Sequence, residues 1–189
     1  GDVVYRGEWL DDRQLETRVV MSSEVEPLHN HIEEWVVSDA CCNGEEWGEL
    51  DLSVMPLLRL VVVGNGCFRH VTVLRLIGLE ELVSVLVGSD SFVSGTSDGE
   101  FYLKHCRKLI EWRVGSGSFK EFSVCEIEDV EALEVIDIRG VMEGCNSFFF
   151  ASLELRSCCV ASWMMNRPAF AQVSEVWCLC VLLLHSRCV

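Results

Sequence analysis

The sequence predicts a β-rich solenoid, a short repeat array of about five units whose strands stack into two parallel β-sheets. Three observations predict it. Apolar pairs in strand alternation recur in two interleaved series. Single apolar residues recur at fixed offsets between them. A glycine with an aromatic four residues on recurs after one of the series. The stretch Leu74–Phe92 (LRLIGLEELVSVLVGSDSF) holds all three features. Its apolar residues Leu76, Leu79, Leu82, Val85 and Val87 step by three, three, three and two, so a bend passes into the period-two pattern of a half-buried strand.

The first series, strand B, has the inward pairs Trp35/Val37, Val61/Val63, Val85/Val87, Trp112/Val114 and Ile136/Ile138, spaced by 26, 24, 27 and 24 residues. Three residues before each pair stands Ile32, Leu58, Leu82, Leu109 or Leu133. The second series, strand A, has Leu50/Leu52, Leu74/Leu76, Phe101/Leu103, Cys125/Ile127 and Leu153/Leu155. Between A and B sits Met55, Leu79, Cys106, Val130 or Cys158. Gly64, Gly88 and Gly115 follow strand B, with Phe68, Phe92 and Phe119 four residues later, and Gly144 and Phe148 repeat the motif after an insertion at Arg139–Glu143. Glycine would relieve the backbone where the coil leaves the sheet, and the phenylalanine would plug the core at that corner. A unit of two short strands cannot bury its apolar face alone, and stacking buries it.

The repeat defines residues 32–158. Residues 1–31 lack the period: Val3–Leu10 reads as an edge strand and Asp11–Val20 as a short helix, together a cap for the exposed end of the core. Residues 159–189 lose the period, keep only Glu175 as an acid, and contain the unbroken apolar run Val176–Leu184. Two readings of this tail stand: a cap on the last coil, or an extension foreign to the domain that arose by a frame or splice error. Nine apolar residues are too few for a helix to cross a bilayer, which takes about 20.

The formal charge is −15, and residues 1–58 hold most of it, with fourteen acids against Arg6, Arg13 and Arg18. Such a field disfavours nucleic acid and anionic membrane as partners. The eleven cysteines are an odd number in a chain long enough to build a core without disulfides. Cys106, Cys125 and Cys158 stand where other units carry a hydrophobe, as buried free thiols do. This usage points to a reducing compartment, the cytoplasm.

The core segment L79-EE-L82-VS-V85-L-V87 resembles the leucine-rich-repeat pattern L-x-x-L-x-x-L-x-L. The trailing G-x-x-S/C-F and the second strand are similar to the BspA-like and related protist leucine-rich-repeat proteins, with Glu100–Phe119 the nearest single unit. The resemblance spans roughly Ile32–Cys158. It implies a curved solenoid with the B sheet concave, and a role in protein recognition. The chain departs from the family at the asparagine three positions after the strand, replaced here by Ala40, Gly66, Asp90, Gly117 and Val141. Turn hydrogen bonds must then be met by backbone or serine.

Strand alternation sends Asp51, Arg75, Tyr102, Glu126 and Glu154 outward on the A sheet, an ordinary wettable row. The matching B row is Val36, Val62, Leu86, Arg113 and Asp137, with Leu60 one column over. An aliphatic strip grading into charge, with Glu111 beside Arg113 at its rim, has the character of a protein-binding face. The same strip also fits a surface covered by the N-terminal segment, or the plain preference of strands for β-branched residues. His29 and His31, Cys41–Cys42, Cys158–Cys159 and Cys178-x-Cys180 with His185 match no zinc spacing. Phosphate-loop, dinucleotide and serine-hydrolase motifs are absent from the sequence. The expectation is a non-enzymatic module without metal or cofactor that binds another protein. The alternative is a structural or surface-adhesion module that self-associates or belongs to a larger secreted array.

Overall fold

The computed structural model describes residues 9–10, 13–14, 17–22, 28–139, 147–148, 151–158, 162–165 and 172–177. It is a parallel β-solenoid of about five turns. A short antiparallel pair, β1 (Trp9–Leu10) and β2 (Arg13–Gln14), precedes it. The B sheet contains β3 (Arg18–Met21), β4 (Glu34–Val37), β6 (Leu60–Val63), β8 (Ser84–Val87), β10 (Glu111–Val114), β12 (Val135–Ile138) and β14 (Ser162–Met165). The A sheet contains β5 (Glu49–Asp51), β7 (Val73–Ile77), β9 (Gly99–Lys104), β11 (Phe122–Val130), β13 (Ser152–Cys158) and β15 (Gln172–Trp177). Each strand pairs in parallel with its counterpart in the next coil.

The inward residues of both series line one core. Trp35, Val37, Val61, Val63, Val85, Val87, Trp112, Val114, Ile136 and Ile138 are buried from the B side. Leu50, Leu74, Leu76, Phe101, Leu103, Cys125, Ile127 and Leu153 are buried from the A side. The corner residues Met55, Leu79, Cys106, Val130 and Cys158, and Ile32, Leu58, Leu82, Leu109 and Leu133, close it. Leu52 is buried as expected, but within a 3₁₀ turn (Leu52–Val54) rather than a strand; the Asp51 carboxylate accepts the Ser53 N–H at 2.9 Å and starts that turn early.

The opposite corner is an aromatic stack. Phe68, Phe92, Phe119 and Phe148 lie ring on ring, with centroids 5.1, 4.6 and 4.7 Å apart along the series. Each adopts a left-handed backbone (φ 53–57°), a conformation that costs a non-glycine residue about 1–2 kcal/mol. Burial of the ring and its stacking offset that cost.

The glycines before these rings act differently from expectation. Gly64, Gly88 and Gly115 are not left-handed. A Cβ on Gly88 would lie 2.6 Å from the carbonyl carbon of Gly64, and one on Gly115 would lie 2.5 Å from that of Gly88. They are glycines because neighbouring coils touch backbone to backbone. Besides the phenylalanines, Ala40, Gly66, Asp90 and Gly117, the sites of the missing asparagine, are left-handed in these turns; Val141 lies outside the described residues.

The turn hydrogen bonds run through a buried hydroxyl and thiol ladder. Ser91 Oγ donates to Gly64 O (2.8 Å) and accepts from Cys67 N (3.1 Å). Ser118 Oγ donates to Gly88 O (2.6 Å) and accepts from Ser91 N (3.0 Å). Ser147 continues the series to Gly115 O and the Cys67 thiol to Ser38 O. Two positions earlier, Asp39 Oδ1 accepts from Asn65 N and Asn65 Oδ1 from Ser89 N, a two-step side-chain ladder between coils.

Both flanks differ from expectation. Within the stretch expected to be helical, Arg13–Gln14 is strand, and so is Arg18–Val20, which continues to Met21 as the first rung of the B sheet. Trp35 Nε1 donates to Met21 Sδ at 3.0 Å and ties that rung down. At the other end the repeat does not stop at Cys159: β14 and β15 add a rung to each sheet. The remainder of the Val176–Leu184 run, beyond Trp177, lies outside the described residues.

Candidate functional site

Parallel in-register stacking converts sequence spacing into columns of side chains that run across the strands. The pairings Val20↔Val36, Val36↔Val62, Val62↔Leu86, Leu86↔Arg113 and Arg113↔Asp137 assemble the expected B row as one continuous column. Val36, Val62, Leu86 and Arg113 are half-buried, as outward residues of an open sheet are. Val20 extends the column by one rung and is 46% exposed. Reading by period missed it, because Val19 precedes Trp35 by 16 residues rather than 24–27. The signal was present locally, in the alternation of Arg18–Met21 and its e-B-e-B burial.

Leu60 lies in the adjacent column, between Glu34 and Ser84. It widens the aliphatic strip at the third rung. On the other side the strip is bordered by Gly64, Gly88 and Gly115, which bear no side chains.

The far end of the column is a charge cluster. Arg113 Nε donates to Glu111 at 2.7 Å, and its Nη1 lies 3.5 Å from Asp137. Arg139 Nη2 donates to the same Asp137 carboxylate at 3.0 Å. The Ser84 hydroxyl donates to Glu111 at 2.8 Å. Hydrogen bonds from Arg113 and then Ser84 hold the Glu111 carboxyl below its usual range. Asp137 belongs to the column by register, yet it is only 3% exposed and both arginines engage it. It therefore serves as the counter-ion that fixes Arg113 and Arg139, and offers no free carboxylate on the surface.

The A face contrasts with this. Its column Asp51, Arg75, Tyr102, Glu126 and Glu154 is in register at every step. Its charges pair locally: Arg75 with Glu49 at 3.0 Å, Arg156 with Glu154 at 3.0 Å, and Lys104 with Glu126 and, at 3.7 Å, Glu128.

The other constellations stay separate. His31 N donates to His29 Nδ1 at 3.3 Å, and no third ligand joins them among the described residues. Cys41, Cys42, Cys67, Cys106, Cys125 and Cys158 are free thiols. Burial pushes the Cys42 thiol up to about 12 and that of Cys106 to about 11, so both are held as unreactive S–H near neutrality. Cys159, Cys178, Cys180 and His185 lie outside the described residues. No helix among the described residues is long and apolar enough to cross a membrane.

No protein-family model, curated protein or solved structure matches this chain.

Proposed function

We propose that this chain is a non-enzymatic protein-binding module of the leucine-rich-repeat kind, similar to the BspA-like proteins, and that its binding face is the outer surface of the B sheet. One observation carries the reading: Val20, Val36, Val62 and Leu86 stack in register as an aliphatic column on four successive rungs. A strand's outward side normally carries polar residues, as the A face does here. Aliphatic side chains left half-exposed in one line gain most by burial against a partner, at about 25 cal/mol per Å². Leu60 broadens the contact, and Arg113, fixed by Glu111 and Asp137, supplies a charged rim whose geometry is already set.

The test is capture of partners from source-cell lysate by the full chain and by the double variant Val62→Glu, Leu86→Glu, with circular dichroism on both to show that the fold survives. A partner held by the parent chain and lost by the folded variant is the expected result. Equal retention by both would remove function from the B face. Sedimentation of the two proteins alone separates self-association: a dimer that the double substitution dissociates would favour the structural or adhesive reading.

A further inference from the structure

We infer that the occupant of the B face is a basic-flanked amphipathic α-helix lying along the solenoid axis, an inference that rests on the B face being the binding face. The column Val20–Val36–Val62–Leu86 runs across the strands, one residue per hydrogen-bonded rung. Adjacent rungs are about 4.8 Å apart, so the four side chains span about 14 Å in three equal steps. The apolar stripe of an α-helix returns once per turn, every 5.4 Å or so, and three turns cover about 16 Å. Mismatch over the whole column is then about 2 Å, within the reach of side-chain rotamers. An extended peptide presents its apolar side every two residues, about 6.7 Å, and is out by more than a full rung after three steps. The periodicity of the face therefore selects a helix over a strand.

The borders agree with a single narrow stripe. On one side of the column stand only small residues, Ser22 and Ser38 beside Val20 and Val36 and Gly64 and Gly88 beside Val62 and Leu86, and Arg113 with its carboxylate partners closes the far end. A helix of about three turns fills the space between. Charge sets its flanks. Around these rungs stand Glu33, Glu34, Asp39 and Asp90 against Arg18 and Arg59, and Arg18 is already paired with Glu34 at 3.4 Å. Asp39 and Asp90 are exposed beyond the glycine border. A helix with Lys or Arg beside its apolar stripe complements this rim, whereas an acidic helix meets repulsion from it and from a chain of net charge −15.

The test uses three labelled synthetic peptides of about four helical turns. One carries Leu at alternating three- and four-residue steps with Lys between. The second has the same composition in strict alternation, and the third has the first pattern with Glu in place of Lys. Fluorescence anisotropy at physiological salt measures each against the full chain and against the folded Val62→Glu, Leu86→Glu variant. The helical Lys peptide is expected to bind at least about tenfold more tightly than either of the others. It is expected to lose at least about tenfold on the double variant, although that variant adds two charges that attract it. Equal or tighter binding of the alternating peptide overturns the helix, and equal binding of the Glu peptide overturns the basic flank. Binding that the double substitution leaves unchanged overturns the site, because the peptide is then held by the acidic surface at large. If no peptide binds, the helix falls, while loss of a cellular partner by the same variant would keep the face.

Discussion

On the A sheet the outward column is polar over the five rungs from Asp51 to Glu154 and its charges find partners on the same or a neighbouring strand, whereas on the B sheet the outward column stays aliphatic for four rungs before it reaches Arg113. The two sheets share one core, one stacking register and the same alternation. Nothing in the packing dictates the difference, because both sets of side chains point away from the core. Stability is written on the inward positions, and the outward positions are left open for other selection. The A face uses that freedom to pair charges. The B face leaves apolar surface in water, and the proposed binding role rests on that difference.

The largest effect expected from this contrast separates two leucines four residues apart. Leu82 is fully buried at the corner before β8, and Leu86 is half-buried on the outer face of that strand. Leu82→Ala is expected to lower unfolding free energy by about 2–5 kcal/mol, through lost transfer energy and an unfilled cavity. Leu86→Ala is expected to cost less than about 1 kcal/mol. Urea unfolding of both variants measures the pair. A comparable loss for Leu86 would place it in the core and dissolve the apolar strip.

Much of this architecture was legible in advance because a solenoid repeats its own evidence. Ten apolar elements in register left little freedom for another fold, and the outward columns followed from alternation alone. Two things were not legible, for physical reasons. The first rung was hidden because Arg18–Met21 joins the B sheet by a 16-residue step, with no A strand between among the described residues, so it breaks the period while keeping the pairing. The last rungs were hidden by composition: with acids gone and cysteines crowding in, Ser162–Met165 and Gln172–Trp177 read as a tail, either a cap on the last coil or a foreign extension, although Trp163 follows Ile136 by 27 residues. The site was legible as a column but not as chemistry. Asp137 looked like an exposed acid because alternation gives direction, and direction does not reveal that two arginines close over it.

An intermediate effect comes from the ladder that holds both faces in register. Ser118 is fully buried; its hydroxyl donates to Gly88 O and accepts from Ser91 N. Ser118→Ala leaves a half-buried carbonyl and a buried amide without that partner, and the expected cost is about 1–3 kcal/mol. The exposed-loop change Ser94→Ala, whose hydroxyl bonds only within its own loop, is expected to cost under about 0.5 kcal/mol. If Ser118→Ala were equally mild, backbone bonding between coils would be enough by itself. The serine would then be a filler of the turn, and the two faces would be aligned without it.

The smallest effect tests the A face on its own terms. Lys104 reaches Glu126 and Glu128 and sits 5.1 Å from the centre of the Tyr102 ring, the densest set of polar contacts on that sheet. Even so, these groups are partly solvated, and such pairs contribute about 0–1 kcal/mol after side-chain ordering and solvent screening. Lys104→Met, which keeps the apolar stem and removes the charge, is expected to cost less than about 1 kcal/mol in low salt. The cost should shrink further in high salt, where the Debye length falls to about 3 Å at 1 M. The same substitution should leave partner capture by the B face unchanged. A large, salt-independent loss would mean that the A-face charges act as a packed network. A loss of capture would mean that the partner reaches round to the A sheet, and the division of labour between the two faces would have to be redrawn.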